Sequence, residues 1–399
     1  MVKRNKEKTP QVAVIGCGYW GKNLVRNYHN LGALKLICDK NETALADFKN
    51  QYADVDTCIA LADVLSRKDI AGVVISSPAE THFSIARESL LAGKNVFVEK
   101  PLTLHAQEAR ELIALAKEKN KVLMVGHLLQ YHPVFMHLKE MASSGELGRI
   151  NYIYSHRLNL GKIRREENIL WSFAPHDISM ILALAEEEPE DLITTGGNYL
   201  HRKIADVTTT HLNFSSGLRA HIFVSWLHPF KEQKLVVVGE KRMAVFDDTK
   251  PWEDKLLLYP HQINWKKNLP VPTKAKSERV DIPQEEPLRQ ECRHFLDCIT
   301  TGAQPITDGH EGLKVLKVLN ASQASLNDNG RKINLGSRVD FDLDPNANSV
   351  APSAAASPHR CKVQGVFVHP SAIVDDNVSI GRGDKNMALF PYNFQLKHR

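Results

Sequence analysis

The sequence has few of the features that mark a secreted, disulfide-rich or membrane-embedded chain. It has 6 cysteines in 399 residues and no Cys-x-x-Cys pair, so neither a disulfide framework nor a structural zinc site is predicted. No run approaches the roughly 18 apolar residues of a membrane span. No apolar segment follows the basic residues 1–8, so we expect no secretory signal.

The excess of positive over negative charge is also small. Lys and Arg number 51 against 46 Asp and Glu, and a net charge of +5 over this length does not indicate nucleic-acid binding. We therefore expect a cytoplasmic protein without nucleic-acid, membrane or metal partners. At roughly 150 residues per domain, 399 residues correspond to two or three domains.

The first part of the chain alternates between short runs rich in Val and Ile and segments with apolar residues at helical spacing. The runs lie at residues 11–15, 34–38, 72–76, 94–98 and 122–125. The helical segments between them include residues 19–31, 80–92 and 105–119. This alternation predicts βαβ units and a parallel sheet buried on both faces.

After residue 126 the pattern is that of an antiparallel sheet with helices. Residues 207–214 and 218–226 flank Ser-Ser-Gly and predict a hairpin, and residues 235–238 and 243–246 predict a second one. A helical pattern returns at residues 310–326. Residues 344–360 are rich in Pro, Ala, Ser and Asn, as in a flexible linker. We expect an N-terminal domain over 1–125, an α+β domain with a largely antiparallel open sheet over 126–343, a linker over 344–362 and a further segment over 363–399.

A glycine-rich motif joins the first predicted strand to the first predicted helix. Gly16, Gly18 and Gly21 form G-x-G-x-x-G, which provides a tight turn, close backbone approach to a pyrophosphate and close packing of helix on strand. Phosphates bind the free N–H groups at such a helix N-terminus. Asp39 ends the second run, where a carboxylate binds the ribose hydroxyls. The pattern predicts a Rossmann dinucleotide-binding domain, with NAD preferred over NADP because Asp39 would repel a 2′-phosphate; the adjacent Lys40 weakens that preference.

Further motifs resemble those of the Gfo/Idh/MocA oxidoreductase family over about residues 10–340. They are Ser77-Pro78, Thr81-His82, the Gly-Lys-Asn-Val-Phe-Val-Glu-Lys-Pro of residues 93–101, Arg-Leu-Asn-Leu-Gly at 157–161, Asn-Ile-Leu-Trp at 168–171 and Ala-Pro-His-Asp-Ile-Ser at 174–179. The last three are similar to the nucleotide-sugar branch, which includes UDP-N-acetylglucosaminuronate 3-dehydrogenases.

The resemblance implies a set of cofactor and substrate residues. Those expected to bind the cofactor are Gly16, Gly18, Tyr19, Trp20, Gly21, Asp39, Ser77, Pro78, Thr81, His82, Glu99, Lys100 and Gln130. Those expected to contact the substrate are Lys100, Arg157, Asn159, Arg164, Asn168, Trp171, His176 and Asp177. Gly126 and His127 follow the last run of the first domain, where family members border the cofactor.

The resemblance also makes Lys100 and His176 the catalytic pair. An ammonium group would stabilise a developing alkoxide, whereas an imidazole titrates nearer working pH than an amine. We therefore assign His176 as general base and Lys100 as its electrostatic partner. Pro175-His176-Asp177 also looks like a helix N-terminus. Many family members have Asp four residues before this histidine, where this chain has Ser172; either Asp177 or the substrate compensates, or the proton takes another route.

The expected activity is NAD-dependent oxidation of a nucleotide-sugar hydroxyl, with UDP-N-acetyl-D-glucosaminuronate oxidised at its 3-hydroxyl as the best candidate, in surface-polysaccharide synthesis. Arg157, Lys162, Arg164 and Arg165 suit an anionic substrate, although a solvated charged loop would have the same composition. Oxidation of a polyol such as an inositol, reduction of a keto sugar, and a non-catalytic dinucleotide-sensing regulator remain alternatives. By resemblance we expect a homodimer or homotetramer.

The C-terminal segment is similar to the opening of hexapeptide-repeat acyltransferases. Val368, Val374 and Ile380 recur every six residues, and residues 369–374 read His-Pro-Ser-Ala-Ile-Val. The period ends at Asn386, and a β-helix needs several stacked coils. We expect a truncated, poorly ordered fragment, and we expect deletion of residues 346–399 to leave dehydrogenase activity unchanged. Chance recurrence in a short tail is the alternative.

Overall fold

The computed structural model describes residues 9–165 and 167–336. The predicted linker and C-terminal fragment, residues 344–399, lie outside this range. Within it, no helix is both long and apolar enough to cross a membrane.

A six-stranded parallel sheet forms the first layer, in the order β3-β2-β1-β4-β5-β6. Its strands are β1 Val12–Ile15, β2 Leu34–Cys38, β3 Asp56–Cys58, β4 Gly72–Ile75, β5 Asn95–Glu99 and β6 Leu123–Gly126. The connecting helices are α1 Gly21–Asn30, α2 Glu42–Gln51, α3 Leu61–Ser66, α4 His82–Leu91 and α5 Ala106–Glu118. This strand order is that of a dinucleotide-binding Rossmann fold.

The predicted parallel sheet is confirmed, and its apolar composition explains it. Every residue of β1, β4 and β6 is buried, as expected for strands covered by helices on both faces. The strand β3 was not predicted, because Asp-Thr-Cys has no apolar run and becomes a strand only by pairing with β2.

The second layer is a nine-stranded mixed sheet in the order β16-β13-β12-β11-β7-β10-β9-β8-β17. Its strands are β7 Ile150–Leu158, β8 Asp191–Gly197, β9 Val207–Asn213, β10 Arg219–Ser225, β11 Glu232–Gly239, β12 Met243–Asp247, β13 Leu256–Tyr259, β16 Glu278–Arg279 and β17 Ile333–Asn334. Two further strands, β14 Gln262–Lys266 and β15 Leu269–Thr273, form a separate hairpin. The helices of this part are α6 Pro133–Ser143, α7 Ile169–Ala185, α8 Pro287–Thr301 and α9 Gly309–Asn327.

Both predicted hairpins of this sheet are confirmed as antiparallel pairs, β9 with β10 and β11 with β12. The one parallel pair is β7 with β10, which the local pattern could not indicate. The sheet is therefore largely antiparallel, as expected, and its central strand β7 ends at Arg157 and Leu158 beside α7.

The last two helices return to the parallel sheet. In α8, Phe295 packs against Phe97 of β5 with ring centroids 5.8 Å apart. Just before α9, the carbonyl oxygen of Thr307 accepts from the backbone N–H of Val125 at 2.8 Å. The start of α9 is thereby held beside the end of β6. The division into domains at residue 126 stays a prediction.

Candidate active site

The glycine-rich turn leaves the N-terminus of α1 open. Gly16 has a φ of +82°, and a Cβ there would lie 2.5 Å from the backbone nitrogen of Ser77. A Cβ on Gly21 would lie 2.1 Å from the carbonyl oxygen of Gly16, so helix and turn pack without space for a side chain. Among the described residues, nothing lies within 4 Å of where Gly18 would place a Cβ. This arrangement fits a pyrophosphate approaching from the side of Gly18.

Asp39 lies against that turn. One carboxylate oxygen accepts the backbone N–H of Cys17 at 2.6 Å and the other accepts that of Asn41 at 2.9 Å. The bonds fix the carboxylate immediately beside the glycine turn while leaving the side chain half-exposed. A carboxylate that ends the second strand beside such a turn is the one expected at a dinucleotide ribose.

The loops after β4 and β5 are joined by His82. Its Nδ1 lies 2.7 Å from the carbonyl oxygen of Pro101 and its Nε2 lies 2.9 Å from that of Ser77. The ring is buried. Both nitrogens are thus engaged within the protein, and His82 can serve a cofactor site only through the loops it positions. On the same loop, the hydroxyl oxygens of Ser77 and Thr81 are hydrogen-bonded at 2.7 Å, next to the exposed Pro78.

Glu99 ends β5 and faces the glycine-rich turn. The indole N–H of Trp20 donates to its carboxylate at 2.5 Å, while neighbouring Tyr19 is 82% exposed. Burial raises the pKa of Glu99 to about 7, and the Trp20 hydrogen bond and the Lys100 ammonium oppose that rise. Near neutral pH this carboxyl group therefore exchanges a proton at the edge of the cleft.

Lys100 reaches from the parallel sheet to α7. Its Nζ donates to the backbone carbonyl oxygen of Ser172 at 3.2 Å. Burial lowers the pKa of Lys100; Glu167 and Glu99 oppose the effect, whereas Arg164 and Arg157 reinforce it. The ammonium group thus lies at the carboxyl ends of the strands, where open parallel sheets bind ligands.

The structure corrects the reading of Pro175-His176-Asp177 as a helix N-terminus. Helix α7 begins at Ile169, with Asn168 as its N-cap accepting the backbone N–H of Trp171 at 3.1 Å. Pro175 lies inside the helix and His176 lies in its second turn. A proline followed by an apolar run resembles a helix start, but the Asn168 cap earlier in the chain determines where the helix begins.

Within the part of the chain that the structure describes, no carboxylate is bonded to His176. Its Nδ1 is buried and has no hydrogen-bond partner among the described residues. Burial lowers the pKa of His176 well below its usual value, and the positive charges of Lys100, Arg157 and His127 add to that lowering. The imidazole is therefore neutral at physiological pH and able to accept a proton, but a proton on it would be held weakly.

Asp177 does not replace the missing carboxylate, because it is bonded to Arg157. Its two oxygens accept from Nε of Arg157 at 2.7 Å and from its terminal nitrogen at 3.2 Å. The hydroxyl of Ser155 donates to the same carboxylate. Both charged side chains are buried. Arg157 and Asp177, both expected at the substrate, thus form an internal ion pair beside His176.

Two other expected substrate residues are joined through Gln323 of α9. Its carbonyl oxygen accepts from the Asn168 amide at 2.7 Å and from the Trp171 indole at 3.1 Å. Asn159 follows β7 and is half-buried, and Arg164 is exposed and pairs with Glu167 at 3.2 Å. Of the residues expected to contact substrate, Arg164 is the one that is exposed.

A second histidine at the site has a carboxylate partner. His127 follows β6, and its Nδ1 lies 2.5 Å from a carboxylate oxygen of Glu311 in α9. The other oxygen of Glu311 accepts the Ser179 hydroxyl at 2.7 Å. Gln130, expected at the cofactor, is buried and donates to the Ser179 backbone and side-chain oxygens at 3.0 Å. The sequence placed His127 near the cofactor, but no local pattern indicated its pairing with Glu311, 184 residues away.

Within residues 9–165 and 167–336, no group of three or more His, Cys, Asp or Glu side chains is arranged to hold a metal ion.

Comparison with known proteins identifies relatives for both parts of this architecture. Residues 11–127 match a model described as an oxidoreductase family with an NAD-binding Rossmann fold. Residues 135–245 match the GFO/IDH/MocA C-terminal domain.

Individual relatives are distant but nearly full-length. UDP-N-acetylglucosamine 3-dehydrogenase of Acidithiobacillus ferrooxidans is 26% identical over 322 residues, which are 77% of this chain and 94% of that protein. Its solved structure covers 80% of this chain and 97% of that chain at a TM-score of 0.71 and 24% identity. Inositol 2-dehydrogenase of Rhizobium meliloti is 24% identical over 65% of this chain and 79% of that protein. A levoglucosan dehydrogenase solved with NADH and levoglucosan has a TM-score of 0.72 at 17% identity, covering 83% of this chain and all of that chain.

The two domain models match in chain order, the first over the parallel sheet and the second over part of the mixed sheet. The chain belongs to the Gfo/Idh/MocA family and is an oxidoreductase with an NAD(P)-binding Rossmann domain.

Proposed function

We propose that this protein is an NAD-dependent dehydrogenase that oxidises a ring hydroxyl of a nucleotide sugar, with the 3-hydroxyl of UDP-N-acetyl-D-glucosaminuronate as the best candidate. The product would enter the synthesis of surface-polysaccharide sugars. The observation that carries the proposal is the reach of Lys100 to Ser172, which sets an ammonium group beside His176 at the carboxyl ends of the parallel strands. The distant likeness to a UDP-N-acetylglucosamine 3-dehydrogenase supports the substrate class.

The cofactor site is built from residues that fit a dinucleotide. Gly18 and the N-terminus of α1 would hold the pyrophosphate, and Asp39 would accept the ribose hydroxyls. When bound, the nicotinamide supplies a hydride acceptor. The fixed carboxylate of Asp39 favours NAD, since a 2′-phosphate would meet a like charge.

Lys100 and His176 would have different roles at the substrate hydroxyl group. The Lys100 ammonium would stabilise negative charge as it develops on the substrate oxygen. His176 is neutral because burial and the nearby cations lower its pKa. It would therefore accept the hydroxyl proton.

Anionic groups of the substrate would meet the loop between β7 and α7. Arg164 and Lys162 are exposed there, and a diphosphate or carboxylate would compete with Glu167 for Arg164. The internal ion pair of Arg157 with Asp177 neutralises one of the four cations of this region. That pairing favours a second candidate, oxidation of an uncharged polyol, to which the distant likeness to inositol 2-dehydrogenase adds support.

A spectrophotometric assay separates the candidates. We expect NADH formation with UDP-N-acetyl-D-glucosaminuronate and little with myo-inositol or free sugars. Turnover of inositol alone would favour the polyol reading. NAD binding without turnover of any sugar or polyol would favour a dinucleotide-sensing regulator.

A further inference from the structure

The two histidines of the site differ in how they are held. Ser172 stands one helical turn before His176, where it supplies no carboxylate, and Nδ1 of His176 has no hydrogen-bond partner among the described residues. His127 has Glu311 on its Nδ1 at 2.5 Å. A carboxylate on one ring nitrogen fixes the tautomer and favours a proton on the other nitrogen. The arrangement that supports proton acceptance is therefore present at His127.

The carboxylate of Glu311 is itself held in place by its neighbours. It lies in the first turn of α9, where the helix dipole favours negative charge. Its backbone N–H donates to the Asp308 side chain at 2.8 Å, and its second oxygen accepts the Ser179 hydroxyl. Gln130 completes the chain by donating to Ser179. Both carboxylate oxygens of Glu311 thus have a hydrogen-bond partner, as an orienting network requires.

The position of His127 connects it to both proposed catalytic residues. Gly126 pairs with Glu99 in the parallel sheet, so His127 follows β6 at the same level as Lys100 follows β5. Ser179 lies one helical turn after His176 on α7. The charge of His127 acts on the pKa values of Glu99 and His176. Glu311, Glu99 and His176 are thus titratable groups near His127.

We infer that His127, oriented by Glu311, is a second acid–base residue of this site and holds the proton that the substrate hydroxyl loses. The inference rests on the proposed dehydrogenase function. His127 receives the proton from His176 and does not itself contact the reacting atoms. In this way a site with Ser172 in place of a carboxylate would retain the proton.

The chemical balance of the step is that of an alcohol oxidation. The C–H bond breaks with its electron pair, which leaves as hydride to the cofactor, and the O–H electrons form the carbonyl bond. The hydroxyl proton passes to His176 and then to Nε2 of His127, because the Nδ1–H already donates to Glu311. The product state is a neutral His176 and an imidazolium at His127 paired with the Glu311 carboxylate.

The first test replaces Glu311 by Gln. An amide N–H would donate to Nδ1 of His127, which leaves Nε2 protonated and unable to accept. We expect kcat to fall at least about tenfold with the NAD dissociation constant unchanged, and the acidic limb of the kcat profile to move down by about one pH unit. Glu311→Asp, which keeps the charge, should recover part of the rate.

The matched control is Asp248→Asn. It breaks another pair of a buried histidine and a carboxylate, His132 with Asp248 at 3.3 Å, which the proposed proton route does not include. We expect an unchanged pH profile in this variant. Equal effects of the two substitutions on the profile, or no effect of Glu311→Gln, would overturn the inference.

A second measurement uses the wild-type protein and does not depend on turnover. In wild-type protein with ¹⁵N-labelled histidine, nitrogen shifts in the NAD complex should show His127 with its proton on Nδ1, and on both nitrogens at lower pH. A neutral His127 carrying its proton on Nε2 would overturn the inference whether or not a substrate has been found. If instead no sugar or polyol is oxidised while this tautomer is found, the proposed function fails, and only the orientation of His127 by Glu311 is supported.

Discussion

The ammonium nitrogen of Lys100 lies 3.2 Å from the backbone carbonyl oxygen of Ser172. This contact joins the end of a parallel strand to the helix that carries His176. It places a cation from one layer of the protein beside an imidazole from the other. The chemistry proposed for the cleft depends on this arrangement.

Replacing Lys100 with Ala should remove most turnover and leave dinucleotide binding intact. We expect a loss of about a hundredfold to a thousandfold in kcat, since the ammonium acts on charge that develops in the transition state. The pyrophosphate is proposed to bind at Gly18 instead, so the NAD dissociation constant measured by calorimetry should change little. Lys139→Ala, at a half-exposed position of α6, is the control. Substantial residual turnover in the Lys100 variant would remove its catalytic role.

Asp39 should determine the choice between NAD and NADP. In Asp39→Ala, the loss of the carboxylate should weaken NAD binding and strengthen NADP binding, so that the ratio of their dissociation constants approaches one. Titration of both dinucleotides by fluorescence measures the ratio. Tighter binding of NADP than NAD by the wild-type protein would contradict the argument from charge.

Restoring an acid before His176 should change the pH profile in a defined direction. Ser172→Asp places a carboxylate four residues before His176, on the same face of α7. A nearby negative charge raises the pKa of His176 from its lowered value, so the acidic limb of kcat should move to higher pH by about one unit or more. A profile that coincides with that of the wild type would mean that His176 does not titrate in the rate-limiting step.

Breaking the buried pair of Arg157 and Asp177 should destabilise the fold. Asp177→Asn leaves a buried guanidinium without its counter-charge, which costs about 3–5 kcal/mol. Urea unfolding should show the loss as a lower midpoint. Replacing both residues, as in Arg157→Met with Asp177→Leu, should recover much of it. A single variant as stable as the wild type would show that Arg157 finds solvent or another partner.

The sequence predicted the features that depend on local pattern. The parallel strands follow from continuous apolar runs, and the glycine turn with Asp39 follows from residue types at fixed spacing. Pairing across long separations could not be predicted. Neither the Glu311 partner of His127 nor the Gln323 partner of Asn168 has a local signal. The start of α7 was misplaced because Pro175 resembles a first helical residue, whereas the Asn168 cap was visible in the sequence but was assigned to the substrate.

The hairpin of β14 and β15 shows a different limit. Pro270 and Pro272 lie within β15, and proline argues against a strand in the interior of a sheet. This hairpin belongs to neither of the two large sheets, so β15 is an edge strand, where proline is tolerated. Pairing between Trp265 and Pro270 and between Ile263 and Pro272 gives the hairpin an apolar face that composition alone did not indicate.

The most direct measurement is the rate of NADH formation by wild-type protein and by Lys100→Ala with UDP-N-acetyl-D-glucosaminuronate, at matched NAD saturation. We expect steady NADH formation by the wild type, with little from myo-inositol, and a loss of about a hundredfold or more in the variant. Equal rates in the two proteins, or turnover of inositol but not of the nucleotide sugar, would contradict the proposed function.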